Sequence, residues 1–404
     1  PSGVRRGLPR VLRWCRRGAW VVLAAALVLT ALFSYINQVG LPDTLKGPLI
    51  ADLQSRGIQL QFKRLRLRLT RGLVVEDVRL SPAAGAWFPD IQARDVQIQI
   101  GWRGLLAGRL VPKGFKIGGG ALNLLLPASN APPARVRVDD IEGRLVRFNQ
   151  DDWRLQYLDG RCLGAAFHLE TTITNISAWQ SRRQRTDSGR TWIETAARIV
   201  HALESIPMEK DARITARCFA DVRHPEHSRL ELDVRLPATG YSGWQVGQAS
   251  VAVRCEPSSN AGAELQATVE AEFDNVVRDS VRMEHARIAS RSRISVASLA
   301  PDDVSSEVRV TGLGAPGGLA ARNAELQLRT TGLARPSPAG LETTWQGSLT
   351  DVESGVVQAR TASVSGNARH SWTNWSRLGA SVMASAVDSR WGQAEDFVFQ
   401  FDLR

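Results

Sequence analysis

Residues that do chemistry are scarce in this chain. Six histidines are spread over 404 residues, and the one close pair, His224-Pro-Glu-His227, lacks the four-residue spacing that sets two imidazoles on one helix face around zinc. A plain hairpin turn is expected there, with no metal. No nucleophile elbow, phosphate loop or paired-carboxylate motif is present, and Gly118-Gly-Gly120 is followed by no Gly-Lys-Ser/Thr, which makes it a bend in a strand. These absences argue against an enzyme and leave no place for a cofactor.

Cysteine is scarcer still, at four. Cys15 lies before the apolar run described below, and the other three, an odd number, make no disulfide framework. Cys218 and Cys255 each sit six residues after an alanine that opens a similar run. In a meander they fall two strands apart, about 9–10 Å by strand spacing, too far for a disulfide. They are expected as small buried thiols.

Basic charge is plentiful but uneven. Of the net +11, six charges are the arginines Arg5, Arg6, Arg10, Arg13, Arg16 and Arg17, which precede the first acidic residue, Asp43. What remains is an ordinary mixed surface, so nucleic acid is not an expected partner.

Long apolar runs are also lacking, with one exception. Gly18 to Ile36 contains no charge, and nineteen residues at about 1.5 Å each cross a hydrocarbon core of roughly 30 Å. The alternative, a cleaved signal peptide, would have a shorter apolar core and a small-x-small site after it. A retained transmembrane helix is therefore expected, with Trp20 and Tyr35 near the interfaces. The basic tail 1–17 would be cytoplasmic and everything after Asn37 exported. The chain has no initiator Met and stops inside the alternating run Phe397 to Leu403, and so reads as a fragment of a longer product.

What the chain has in abundance is alternation. An alanine opens similar runs at Ala212, Ala249, Ala286, Ala324, Ala362 and, more loosely, Ala394. Self-similarity at a period of about 37 residues is the signature of a repeat array, in which each unit buries its apolar face on its neighbours. A second strand falls in each unit. In Leu230 to Leu236 the period of two puts Leu230, Leu232, Val234 and Leu236 on one face, with Glu231, Asp233 and Arg235 on the other. The expected fold is mainly β, an elongated antiparallel sheet of two-strand repeats curling into a groove. The candidate lining of that groove is Ile98, Ile100, Leu230, Leu232, Val234, Val251 and Val253, continuing through Leu326, Leu328 and Phe399. Glu231, Asp233, Arg254 and Arg329 would face water.

Ahead of the repeats lies a module at 43–130. Asp43 to Arg56 has the pattern of a short amphipathic helix ending at Gly57. Ile58 to Leu69 reads as a strand whose apolar parity slips, so a bulge near Lys63 and Arg64 is expected. Arg66, Arg68 and Arg71 are candidates for contact with anionic headgroups, or simply a solvated face. Leu73 to Leu80 and Ile91 to Ile100 form a strand pair, Trp102 to Arg109 a short helical turn, and Phe115 to Leu126 a strand. The likeness of Asp77-Val-Arg-Leu to Asp233-Val-Arg-Leu suggests that this module shares the repeat. From 131 to 404 the repeats continue, interrupted by an exposed loop from Ser177 to Arg190. A helix at 191–206 follows, opened by a capping box (Thr191, Glu194) and closed by Pro207, either capping the sheet or plugging the groove.

The ordered motifs of residues 1 to about 126 resemble the N-terminus of AsmA-like proteins. These motifs are the basic tail, the apolar helix, Arg56-Gly57-Ile58, Leu73-Val-Val-Glu-Asp-Val-Arg-Leu80, Ala93-Arg-Asp-Val-Gln-Ile-Gln-Ile100, Trp102-Arg-Gly-Leu-Leu-Ala-Gly-Arg109 and Phe115-Lys-Ile-Gly-Gly-Gly-Ala-Leu122. The resemblance, which extends to the relatives TamB and YhdP, implies an inner-membrane anchor and a periplasmic β-groove. That groove would carry phospholipids toward the outer membrane, with envelope proteins there as partners, in support of outer-membrane biogenesis. It carries no catalytic residue with it. The alternative is a structural envelope protein whose sheet closes on its own side chains as a sandwich or solenoid.

Overall fold

The structure is a computed structural model that describes residues 58–68, 72–82, 90–100, 112–126, 134–149, 151–178, 211–241, 243–258, 264–295, 301–331, 341–370 and 375–403. The chain divides into two compact units, one ending at Leu124 and the other beginning at Leu125. Among the described residues no helix is long and apolar enough to cross a membrane. The segments expected as the transmembrane helix (18–36), the amphipathic helix (43–56), the turn at 102–109 and the helix at 191–206 lie outside the described residues.

The first unit holds β1 (Ile58–Gln61), β2 (Arg64–Arg68), β3 (Gly72–Pro82), β4 (Asp90–Ile100) and β5 (Pro112–Leu126), all antiparallel. β1 and β2 are two halves of one strand that pair along β3, parted at Phe62 and Lys63. The slip expected near Lys63 is present, and it is not confined to that strand. Opposite it, Asp77 adopts a left-handed φ of 53°, and Gly119 in β5 has 60°. Across the sheet the residues skipped by the ladder form one line: Lys63, Asp77, Arg94, Gly119. A left-handed residue moves the side chains that follow it to the other parity, so all four strands slip together and keep one apolar face. On that face Leu65, Val75, Val78 and Ala93 are buried, with Leu60, Leu73, Val96 and Ile117 packed on them.

The second unit begins with β6 (Ala134–Arg147), β7 (Trp153–Cys162), β8 (Ala165–Thr174), β9 (Arg213–Asp221) and β10 (Arg229–Leu236). A small hairpin, β11 (Thr239–Tyr241) and β12 (Trp244–Val246), follows. The remaining strands are β13 (Gln248–Pro257), β14 (Glu264–Arg278), β15 (Val281–Ser295), β16 (Pro301–Ala315), β17 (Leu319–Thr331), β18 (Leu341–Glu353), β19 (Val357–His370), β20 (Trp375–Ser389) and β21 (Gly392–Leu403). From β13 onward each strand pairs antiparallel with the next. The expectation of an unbroken antiparallel meander fails at one point, since β8 and β9 are parallel. Parallel neighbours need a crossover, and the connection from 175 to 212 supplies its length. Its ends are pinned where Asn175 Nδ2 donates to Asp221 at 2.9 Å and the Ala166 N–H donates to the Ala212 carbonyl at 2.9 Å.

A bend line also runs through the second unit. The ladder skips Asn275, Glu284, Gly312, Arg322, Asp351, Arg360, Ala386 and Glu395, one residue in each of β14 to β21. Alternate strands carry the left-handed residue: Asn275 in β14, Gly312 in β16, Asp351 in β18 and Ala386 in β20. Asp140 in β6 does the same beside a register shift. Glycine, Asn and Asp tolerate this conformation best, and only Ala386 departs from them. Arg322 and Asp351 pair along the line at 3.2 Å.

The bend explains the recurring alanine. Ala249, Ala286, Ala324 and Ala362 occupy the row beside the line, each opposite a bulky residue: Phe273 faces Ala249 and Ala286, Val310 faces Ala286 and Ala324, and Leu349 faces Ala324 and Ala362. Small and large side chains thus alternate where a bent sheet has least room. In β21 the residue in this row is Phe397, opposite Ala384, whereas Ala394 lies beyond the line opposite Val387. The last repeat is therefore counted from the wrong alanine in the sequence. Likewise Asp77 corresponds to bend residues such as Asp140. Asp233 does not, because it sits in an unbroken ladder between Thr215 and Ala252.

Candidate functional site: the apolar face of the sheet

The cross-strand registers assemble rows of side chains that run at right angles to the strands. Next to the alanine row comes Val234, Val251, Ala271, Ile288, Val308, Leu326, Gly347, Val364, Val382 and Phe399, apolar through ten strands. The third row holds Leu232, Val253, Val269, Leu328, Trp345 and Phe401, interrupted by Ser290 and Ser306, whose hydroxyls bond at 2.8 Å. The fourth contains Leu230, Cys255, Ala267, Val304 and Leu378, with Thr330 and Thr343 bonded at 3.0 Å. Four rows at two residues each span about 20 Å along the strands.

All the lining candidates of the second unit therefore lie on one face: Leu230, Leu232, Val234, Val251, Val253, Leu326, Leu328 and Phe399. Ile98 lies in the first unit beside Leu73 and Phe115, and Ile100 pairs with Pro112. In the second unit these side chains are half-buried, and Phe399 is 53% exposed. Fully buried residues of the second unit include Ala249, Ala286, Val276, Val310, Ala321 and Ala359 near the bend, and Ala267, Ala271, Leu341 and Ala368 away from it. Between the alanine row and the line, Thr311, Asn323 and Thr361 are exposed on the opposite face. No second layer covers the apolar side among the described residues. The sheet does not close into a barrel either, since among those residues β21 pairs with β20 alone.

The other face is wet. Glu231, Asp233, Arg254 and Arg329 are exposed there. Arg287 reaches Glu270 at 3.4 Å and Glu272 at 3.7 Å, and Arg329 reaches Asp303 at 3.1 Å. Such exposed pairs contribute about 0–1 kcal/mol each and mark this as the solvated side. Two hollows lie on this face. One of 770 Å³ is lined by Arg291, Glu307, Gln327, Arg329, Gln346 and Asn367, and one of 530 Å³ by Ser365, Ser381, Gln400 and Asp402. The twist of the sheet leaves this face shallowly concave there.

The remaining candidates separate. Arg66 pairs with Glu76 at 3.4 Å across β2 and β3. Arg71 and the side chain of Arg68 are outside the described residues. Cys162, Cys218 and Cys255 are free thiols. Cys218 and Cys255 flank Leu230 on either side, two strands apart as expected, and burial pushes the Cys255 thiol up. His224 and His227 sit at a single 3-10 turn, Pro225–His227, with their rings stacked at 5.5 Å. No group of three or more His, Cys, Asp or Glu is placed to hold a metal among the described residues.

One titrating contact braces the antiparallel pairing of β7 and β8. His168 in β8 bonds Asp159 at 2.6 Å and Glu170 at 3.3 Å. The Asp159 hydrogen bond, chiefly, raises the imidazole above its ordinary 6.5. A group with a raised folded value stabilises fully below its unfolded value and loses that contribution as pH rises through the folded one. His168→Gln should therefore lower the melting temperature at pH 5 and have little effect at pH 9. An equal loss at both values would show that the ring acts through packing alone.

No family model matches the chain, and neither a curated protein nor a solved structure matches it.

Proposed function

We propose that this chain is a membrane-anchored envelope protein that carries phospholipids along the apolar face of its bent sheet. The observation that carries this reading is the apolar row running unbroken from Val234 to Phe399, half-exposed at most positions and uncovered among the described residues. Each methylene of an acyl chain withdrawn from water contributes about 0.8 kcal/mol. A row of this kind therefore holds an alkyl chain without any specific hydrogen bond, and admits lipids that differ in headgroup. The apolar run Gly18 to Ile36, the basic tail before it and the likeness of the N-terminal motifs to AsmA-like proteins support a periplasmic position for the sheet, between inner and outer membrane.

Lipid extraction tests it. The intact chain, purified from membranes in mild detergent and exchanged extensively, should retain phospholipid in stoichiometric amount by mass spectrometry. A lipid-free chain that still holds protein partners would instead favour the scaffolding role.

A further inference from the structure

We infer that the wet face of β13 to β19 binds an acidic polysaccharide, laid across the strands, with a carboxylate at every second sugar. Arg217, Arg254, Arg291 and Arg329 each lie five residues after a repeat alanine, at Ala212, Ala249, Ala286 and Ala324. The ladders join them into one row across the sheet, with Glu231, Thr268 and Ser305 on the strands between them and Thr344 and Asn367 beyond. All four arginines are exposed, and successive ones stand two strands apart, about 9.5 Å. The row beside them keeps no residue type, running through Ala252, Glu270, Ala289, Glu307 and Gln327. Solvation asks only for polarity, which does not account for one residue type recurring in one row.

The positive charge of this row is free where the ligand would need it. Arg254 and Arg291 have no carboxylate partner among the described residues. The nearby carboxylates are already occupied: Glu270 and Glu272 by Arg287, Glu307 and Glu325 by Arg309, and Asp303 by Arg293 and Arg329. The hollow of 770 Å³ follows the row, since Arg291, Ser305, Arg329, Thr344 and Asn367, from five successive strands, all line it together with Gln327 and Gln346. Hydroxyls and amides both donate and accept, as sugar hydroxyls do. Neutral sugars therefore fit between the guanidinium groups, whose forked donors match a carboxylate.

Other anions fit this face less well. Duplex DNA carries a phosphate about every 3.4 Å along each strand, far closer than the arginines. Single strands stack their bases on aromatic side chains, and from β13 to β19 neither the row nor the row on either side of it contains one. A bilayer surface is flat and does not enter the hollow.

A hyaluronan octasaccharide, in which glucuronate alternates with a neutral sugar, serves as the probe for the intact chain. Saturable binding is expected, weakened about tenfold by Arg254→Gln and by Arg291→Gln. Arg287→Gln removes a guanidinium that is already paired and should change binding by about twofold at most. Phospholipid retention should be unaltered in Arg291→Gln, because the arginine row lies on the face opposite the apolar rows. Absence of binding, equal binding of a neutral chitin oligomer, or equal losses from Arg287→Gln and Arg291→Gln overturns the proposal. So does tighter binding of an oligogalacturonate, a single-stranded DNA or phosphatidylglycerol vesicles, since the face would then read charge density and not the alternation of sugars.

Discussion

Val253→Asp and Leu328→Asp should leave the β circular-dichroism signal and expression close to those of the unaltered chain, yet abolish lipid photo-crosslinking from a probe at Val382. Val253 lies between Leu232 and Val269, and Leu328 between Ser306 and Trp345, in the third row from the bend. Both are half-buried, so truncating either forfeits about 1 kcal/mol of burial, and the new carboxylate keeps part of its water. In a closed sandwich the same carboxylate would be stranded in a dry interior at a cost of about 3–5 kcal/mol. The lipid path is affected differently, because a charge set in an apolar row is a barrier to an acyl chain that must leave water to pass it. Collapse of the fold in either variant, with no crosslink in the parent, would support the scaffolding alternative.

The second large effect is expected at the bend. Gly312 has φ of 63°, and a Cβ there would overlap the Glu284 side chain. Gly312→Val combines the left-handed penalty with displacement of Glu284, a loss of about 2–3 kcal/mol. Ala386, at φ of 50°, has the opposite sign. Ala386→Gly relieves about 1–2 kcal/mol of strain but adds about 0.4–1 kcal/mol of unfolded-state entropy, for a net gain of about 0.5 kcal/mol. Chemical denaturation of the two variants checks both signs. If Gly312→Val were neutral, the line would be an accommodation of the sheet and not a requirement.

The strands and their apolar parity were legible because alternation is a local signal: Leu230 to Leu236 reads the same way in sequence and structure. The bend was legible only at Lys63, where the parity change falls within one apolar run. Elsewhere, as in Leu349-Thr-Asp-Val352, the residues past the slip are few and merge with the turn that follows. The type of residue marks the position all the same, since an Asp, Asn or Gly one step before an out-of-phase apolar residue recurs at Asp77, Asp140, Asn275, Gly312 and Asp351. Ala394 was misassigned for the same reason, the slip at Glu395 having been missed. The parallel pairing of β8 and β9 leaves no local trace, because register between strands separated by a long connection depends on which edges the rest of the sheet leaves free. For the site, the shared face of Leu232, Val251 and Leu328 followed from parity. The polar hollows did not, because twist is a property of the whole sheet.

The alternation of left-handed and ordinary strands also sets a rule for growth. Inserting a single strand would put two left-handed strands side by side, or two ordinary ones, and would reverse the direction of every strand after it. Only an even number preserves both the bend and the polarity. The sheet is thus a ruler graduated in strand pairs, each adding about 9.5 Å of width, and its length changes by whole repeats while the cross-section stays the same.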